Sequence, residues 1–146
     1  MIAVSLCRKP HTLWVRFSGV ITALEMLRVR EANRALAVAE GPAAVIADFT
    51  DAERFELSDE ESLGQARRPP YAPDHPRVFV ASNDAVRQSL ELYAERQKGH
   101  GFVPPPIVGT LDEALGLMGC RKQDFRPLDT AWFNSLDAED AKVLKG

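Results

Sequence analysis

AAVIADF, residues 43–49, decides how this chain folds. A strand with one wet face alternates apolar and polar residues. A short run that is apolar at nearly every position reads instead as a strand covered on both sides, as in a sheet flanked by helices. Gly41-Pro42 closes the segment before it, and Asp48 marks where the strand gives way to a loop. VFVAS at 78–82 and the shorter IVGT at 107–110 have the same character.

Upstream, IAVSLC (2–7) and LWVRF (13–17) are rich in β-branched and aromatic residues and flank a KPHT break, which predicts an opening hairpin whose second strand ends at Gly19. Helical patterns fill the remaining gaps. The first runs from Thr22 to about Glu40, with Leu24, Leu27, Ala32, Ala35, Val38 and Ala39 on one broad face and Arg28 and Glu31 intruding on it. A second extends from near Ser58 to about Arg68, followed by an irregular connection carrying Pro69, Pro70, Pro73 and Pro76. A third starts at Asn83 or Asp84, repeats Val86, Leu90 and Tyr93 at helical spacing, and stops at Gly99 and Gly101. The last opens at Thr110, carries Leu111, Ala114, Leu115 and Met118, and ends at Gly119. The order is β-β-α-β-α-β-α-β-α, which predicts an α/β sandwich: a mixed, mostly parallel sheet of about five strands with about four helices.

The totals agree with one soluble domain. The chain has 146 residues, 45% hydrophobic and 27% charged, long enough to bury a core. A net charge of −3 gives no electrostatic reason to expect nucleic acid. Arg28, Arg30 and Arg34 cluster, but acids are interleaved and the helix is expected to present them to water. Cys7 and Cys120 match no zinc or redox spacing, and Cys7 is expected buried in its strand as a small hydrophobe. No signal peptide and no apolar run of about 20 residues is evident, so a cytoplasmic protein is expected.

Side-chain chemistry narrows the field further. Asp48 at a strand end stands where catalytic carboxylates often sit, with Asp51 three residues on, so a metal-assisted enzyme using Asp48 and Asp51 is one reading. No phosphate-cradling loop or dinucleotide fingerprint accompanies it, and His11, His75 and His100 are scattered without metal spacing. Loop structure is the expected role of Asp48. Ser58-x-x-Glu61 has the form of a capping box, as do Thr22-x-x-Glu25 and Thr110-x-x-Glu113 at the other helix starts. With Glu56, Asp59, Glu60 and Glu61 around it, Ser58 is a poor place for a phosphate and a good one for a cap. The aromatics Trp132 and Phe133 in the tail need cover, from the domain or from a second copy, and with Tyr93 they are candidate interaction residues.

Three stretches carry a family resemblance: LWVRFSGVITALEM (13–26), AAVIADFTDAERF (43–55), and RVFVASNDAVRQSLELYAE (77–95) with VGTLDEALGLM (108–118). In these the chain resembles the STAS superfamily, and more closely the small stand-alone SpoIIAA-like proteins grouped as STAS/SEC14. The likeness covers residues 1–119 and leaves 120–146 as an extension packing on the domain or a partner. It implies a non-enzymatic regulatory or ligand-binding domain, without cofactor, acting through a protein partner or a small apolar ligand. Phospho-regulated members carry a serine or threonine at the start of the helix after the third strand. That implies Ser58, or Ser62 in another register, as a candidate phosphorylation site of an anti-sigma-factor antagonist; Leu57 and Asp59-Glu60 depart from the family's Asp-Ser-Ser/Ala-Gly.

Overall fold

A computed structural model describes residues 1–129 and Ala131. Within them the chain is an α/β sandwich built on a mixed, mostly parallel sheet. The hairpin forms as its pattern predicts: β1 (Ile2–Arg8) and β2 (His11–Thr22) pair antiparallel, Val4 opposite Val15 and Leu6 opposite Leu13. Then follow α1 (Ala23–Glu40), β3 (Ala44–Glu56), α2 (Asp59–Arg67), β4 (Arg77–Val80), α3 (Asp84–Gly99), β5 (Ile107–Val108), α4 (Leu111–Met118), a short 3-10 turn (Lys122–Asp124) and β6 (Arg126–Pro127). The strands lie in the order β5-β4-β3-β2-β1-β6, and β2 through β5 run parallel to one another.

Two-sided burial is what β3 shows. Ile46 is sealed into one core and Ala47 into the other, at 0% and 7% exposure. On the first face Leu13, Val15, Phe17, Phe49 and Ala47 meet α1 and α3; on the second Trp14, Ile46, Val78 and Val80 meet Ala114 and Leu115 of α4.

Four expectations need correction. Gly19 does not end β2, and Asp48 does not end β3. Both strands run on together to Thr22 and Glu56, because β3 takes up one extra residue between the Arg16–Asp48 and Ser18–Asp51 pairs and another between Gly19–Ala52 and Val20–Arg54. Such bulges bend and re-aim a strand. Here they hold Phe49, Ala52 and Phe55 on the same core although the three are spaced by three residues. Gly19 sits at the second irregularity with a φ of 76°, a conformation that favours glycine.

The apolar face of α1 is also rotated from the expected one. Val38 is 86% exposed, and Ala35 and Ala39 face water, while Leu27 and Ala32 are buried and Met26, Val29 and Leu36 pack on the core. The alanine-rich second half of the helix is apolar around much of its circumference, so composition alone could not orient it. The sheet, finally, has a sixth strand. β6 pairs with β1, Ser5 opposite Pro127 and Leu6 opposite Arg126, and Leu128 N donates to Val4 O at 2.8 Å. Proline is tolerated at such an edge, where no ladder bond needs its missing N–H. Residues 120–128 therefore pack on the domain, with Phe125 buried edge-on against Trp14 at 5.6 Å.

Candidate functional site: a cleft between two helical blocks

The two faces of the sheet are covered differently. On the first, α1 lies over β1 and β2, while α3, with α2 against it, lies over β3. Between these blocks two hollows reach down to the sheet, over Phe17 and Phe49, which are buried, and Phe79, which is half-buried. Period-two alternation puts Phe17, Phe49 and Phe79 on this face of β2, β3 and β4. They form one aromatic row: Phe17 stacks on Phe49 at 4.4 Å, Phe49 meets Phe79 edge-on at 5.7 Å, and Phe79 stacks on Tyr93 of α3 at 5.7 Å.

Two adjoining hollows share this floor. One, about 180 Å³, lies between α1 and the proline-rich 69–76 connection. The other, about 220 Å³, lies among α2, α3 and the second half of β3. Met26, Phe49, Gln65, Phe79 and Tyr93 line both. Each is large enough for a small organic molecule, since an apolar cavity of roughly 150 Å³ already accepts benzene. A larger hollow of about 600 Å³ lies on the far side of the 70–76 connection, walled by Pro104, Pro105 and Pro106 and by the end of α4.

Polar groups frame the cleft. Tyr71 anchors the connection to the start of β3: its hydroxyl accepts from Ala43 N at 3.0 Å and donates to Ala43 O at 3.3 Å. Burial pushes the Tyr71 phenol above its ordinary 10.0, with the bond to Ala43 opposing. Arg77, at the start of β4, donates to Tyr93 Oη at 3.0 Å, Gln97 Oε1 at 2.6 Å and Val103 O at 3.2 Å. Gln97, fully buried, returns its amide to Ala66 O at 2.6 Å and Arg68 O at 2.9 Å, locking the end of α2 onto α3. In the wall of the first hollow, Asn33 Oδ1 is buried with no donor. A buried amide oxygen left so is costly, and it invites a donor from outside the chain.

The opposite face is packed tightly around Trp14, and the 600 Å³ hollow borders it only at Val78 and Met118. Trp14 Nε1 donates to Asp48 Oδ2 at 3.0 Å, and Thr50 donates both its N–H, at 3.0 Å, and its hydroxyl to Asp48 Oδ1. Arg16 lies over the Trp14 ring at 4.7 Å. Asp48 is thus a buried bracket within β3, both oxygens engaged, while Asp51 lies beyond the bulge and is exposed. Cys7 and Cys120 are buried free thiols on this face, and burial raises the Cys120 thiol above its ordinary 9.0, with the Thr12 hydroxyl opposing.

Of the candidate residues, the fold brings Tyr93 and Ser62 to the cleft and leaves Ser58 outside it. Ser58 forms the full capping box: Glu61 N donates to its Oγ at 3.1 Å and Ser58 N donates to Glu61 Oε1 at 2.9 Å. Thr22 and Thr110 accept from Glu25 N and Glu113 N in the same way. Trp132 and Phe133 lie outside the described residues. Among the described residues no helix is long and apolar enough to cross a membrane, and no three His, Cys, Asp or Glu side chains gather as a metal site.

Three groups at the cleft were not singled out from sequence. Gln97 continues the Val86-Leu90-Tyr93 stripe by one further step of four, a signal that was there to follow. Arg77 and Arg68 carry no local signal, because the cleft is assembled from distant segments. Arg30 differs from its expectation as a water-facing charge: it lines the first hollow, whereas Arg28 and Arg34 pair along the helix with Glu25 and Glu31. No family model matches the chain, and no curated protein matches it.

Proposed function

We propose that this chain is a non-enzymatic binding domain, holding a small, largely apolar ligand in the cleft between α1 and the α2–α3 block. The observation that carries the reading is the aromatic row Phe17-Phe49-Phe79-Tyr93, its first two rings buried and its last two half-buried, at the base of two adjoining hollows of about 180 and 220 Å³. Apolar walls with a few convergent polar groups are the usual make-up of a small-ligand site. The resemblance to stand-alone SpoIIAA-like domains, which implies a small apolar ligand as one of its two modes of action, points the same way. Asp48 has both oxygens committed to Trp14 and Thr50, which leaves it a structural group and supports a domain without chemistry of its own.

The test uses the methionine methyl groups. Met26 lines both hollows, while Met118 lines neither, lying at the opposite core beside the 600 Å³ hollow. Titrating 1-octanol into protein labelled at its methionine methyls is expected to shift the Met26 signal and leave Met118 in place. Equal movement of both, or of neither, overturns the proposal.

A further inference from the structure

The charges around the cleft are one-sided. In a chain with more acids than bases, 21 against 18, no Asp or Glu lines either hollow among the described residues. Four arginines do: Arg30, Arg68 and Arg77 in the first, and Arg96 in the second. Elsewhere arginines are mostly neutralised, Arg8 by Glu40, Arg28 by Glu25, Arg34 by Glu31, Arg87 by Glu91 and Arg121 by Asp124. None of the four has a carboxylate partner among the described residues. Arg77 spends its donors on neutral oxygens, and so keeps its full charge.

An apolar trough ringed by uncompensated guanidinium groups has a definite complement. The groups are most concentrated at the first hollow, where Asn33 Oδ1 also lacks a donor. Resting on the ligand-binding reading above, we infer that the ligand is an anionic amphiphile. Its apolar chain lies along Phe49 and Phe79, and its single carboxylate-type head sits in the first hollow beside Arg30 and Arg68. Guanidinium matches a carboxylate with paired, charge-assisted hydrogen bonds. A hydroxyl on the head, or a water carried with it, supplies the donor that Asn33 lacks.

The experiment compares octanoate with 1-octanol, equal in chain length and different in head charge, by calorimetric titration at pH 8 and low salt. Octanoate is expected to bind roughly tenfold more tightly than the alcohol, the scale of one or two charge-assisted bonds. Arg30→Gln with Arg68→Gln is expected to erase that preference, so that acid and alcohol bind this variant with equal affinity. Arg67→Gln, an exposed α2 position outside the cleft lining, serves as the charge-matched control and is expected to keep it. Equal affinity for acid and alcohol overturns the anion inference and leaves the apolar cleft standing. Loss of the preference in Arg67→Gln as well marks diffuse electrostatics and also overturns it. Failure of both probes to bind takes down the cleft reading itself.

Discussion

The two faces of one sheet solve the same problem in opposite ways. The α4 face is filled around its centre by Trp14, Phe125 and Ile46, and the Asp48 carboxylate within it has a donor for each oxygen. The cleft face is built from an equally apolar floor, yet it stops short of closing, leaves Asn33 Oδ1 without a donor, and surrounds itself with unneutralised arginines. A core that folding alone had shaped would resemble the first. Buried polar atoms are normally satisfied, so an unsatisfied amide oxygen beside arginines that have no carboxylate partner marks this side as the one with a further task.

The sharpest way to break this comparison is to truncate one aromatic on each face. Trp14→Ala removes a sealed ring and strands Asp48 Oδ2; it is expected to cost about 3–5 kcal/mol in urea unfolding. Phe79→Ala removes a half-buried ring beside space that already exists, and about 2 kcal/mol is expected. Equal losses would mean the faces are equally packed, and the cleft no more than a groove between helices. Next in size, Gln97→Leu keeps volume but leaves two carbonyls and Arg77 short of a partner, for a loss of about 2 kcal/mol. It is also expected to loosen α2 from α3, raising amide exchange in α2 above that in α4. Uniform exchange would show that Gln97 is not the latch.

Legibility followed the same division. AAVIADF announced a strand buried on both faces, and the capping serines and threonines placed three helix starts to the residue, because both signals are local. The continuation of β3 was hidden because its bulges break the alternation that would reveal it: in Phe49-Thr50-Asp51-Ala52-Glu53-Arg54-Phe55 the core residues fall three apart. β6 was hidden because two residues, one of them proline, carry no pattern at all. The cleft was the least visible feature. Arg30, Arg68, Arg77 and Arg96 are ordinary surface arginines in their own segments, and only the sheet order brings the first three around one hollow and the fourth to its neighbour.

Ser58 belongs to neither face, and its variants measure what punctuation alone contributes. Ser58→Ala removes the acceptor for Glu61 N and is expected to cost about 1 kcal/mol, whereas Ser58→Asp keeps a competent cap. The added carboxylate meets Glu56, Asp59, Glu60 and Glu61, so the Asp variant is expected to fall short of wild type by a few tenths of a kcal/mol. Octanoate affinity is expected to be the same in both variants, since Ser58 does not line the cleft. A change in affinity with Ser58→Asp would link the cap to the site, and would restore the switch reading.

The smallest effect is a difference in response to alkaline pH. Cys120 on the α4 face and Tyr71 at the cleft both hold their protons more tightly folded than unfolded, chiefly because burial disfavours the anion. Each contribution is complete below the group's ordinary value and is lost as pH rises through the folded one. Stability is therefore expected to be insensitive to both groups up to about pH 9, then to fall as Cys120 and later Tyr71 ionise. Cys120→Ala removes the earlier part of that fall. Octanoate separates the two: a ligand seated in the first hollow deepens the burial of Tyr71 and brings an anion near it, and both effects raise its titration further. Tyrosinate absorbance is expected to rise at higher pH in the octanoate complex, while the Cys120-dependent loss stays where it was. If octanoate moved the Cys120 step as well, the α4 face would not be independent of the cleft, and the division between the two faces would fail.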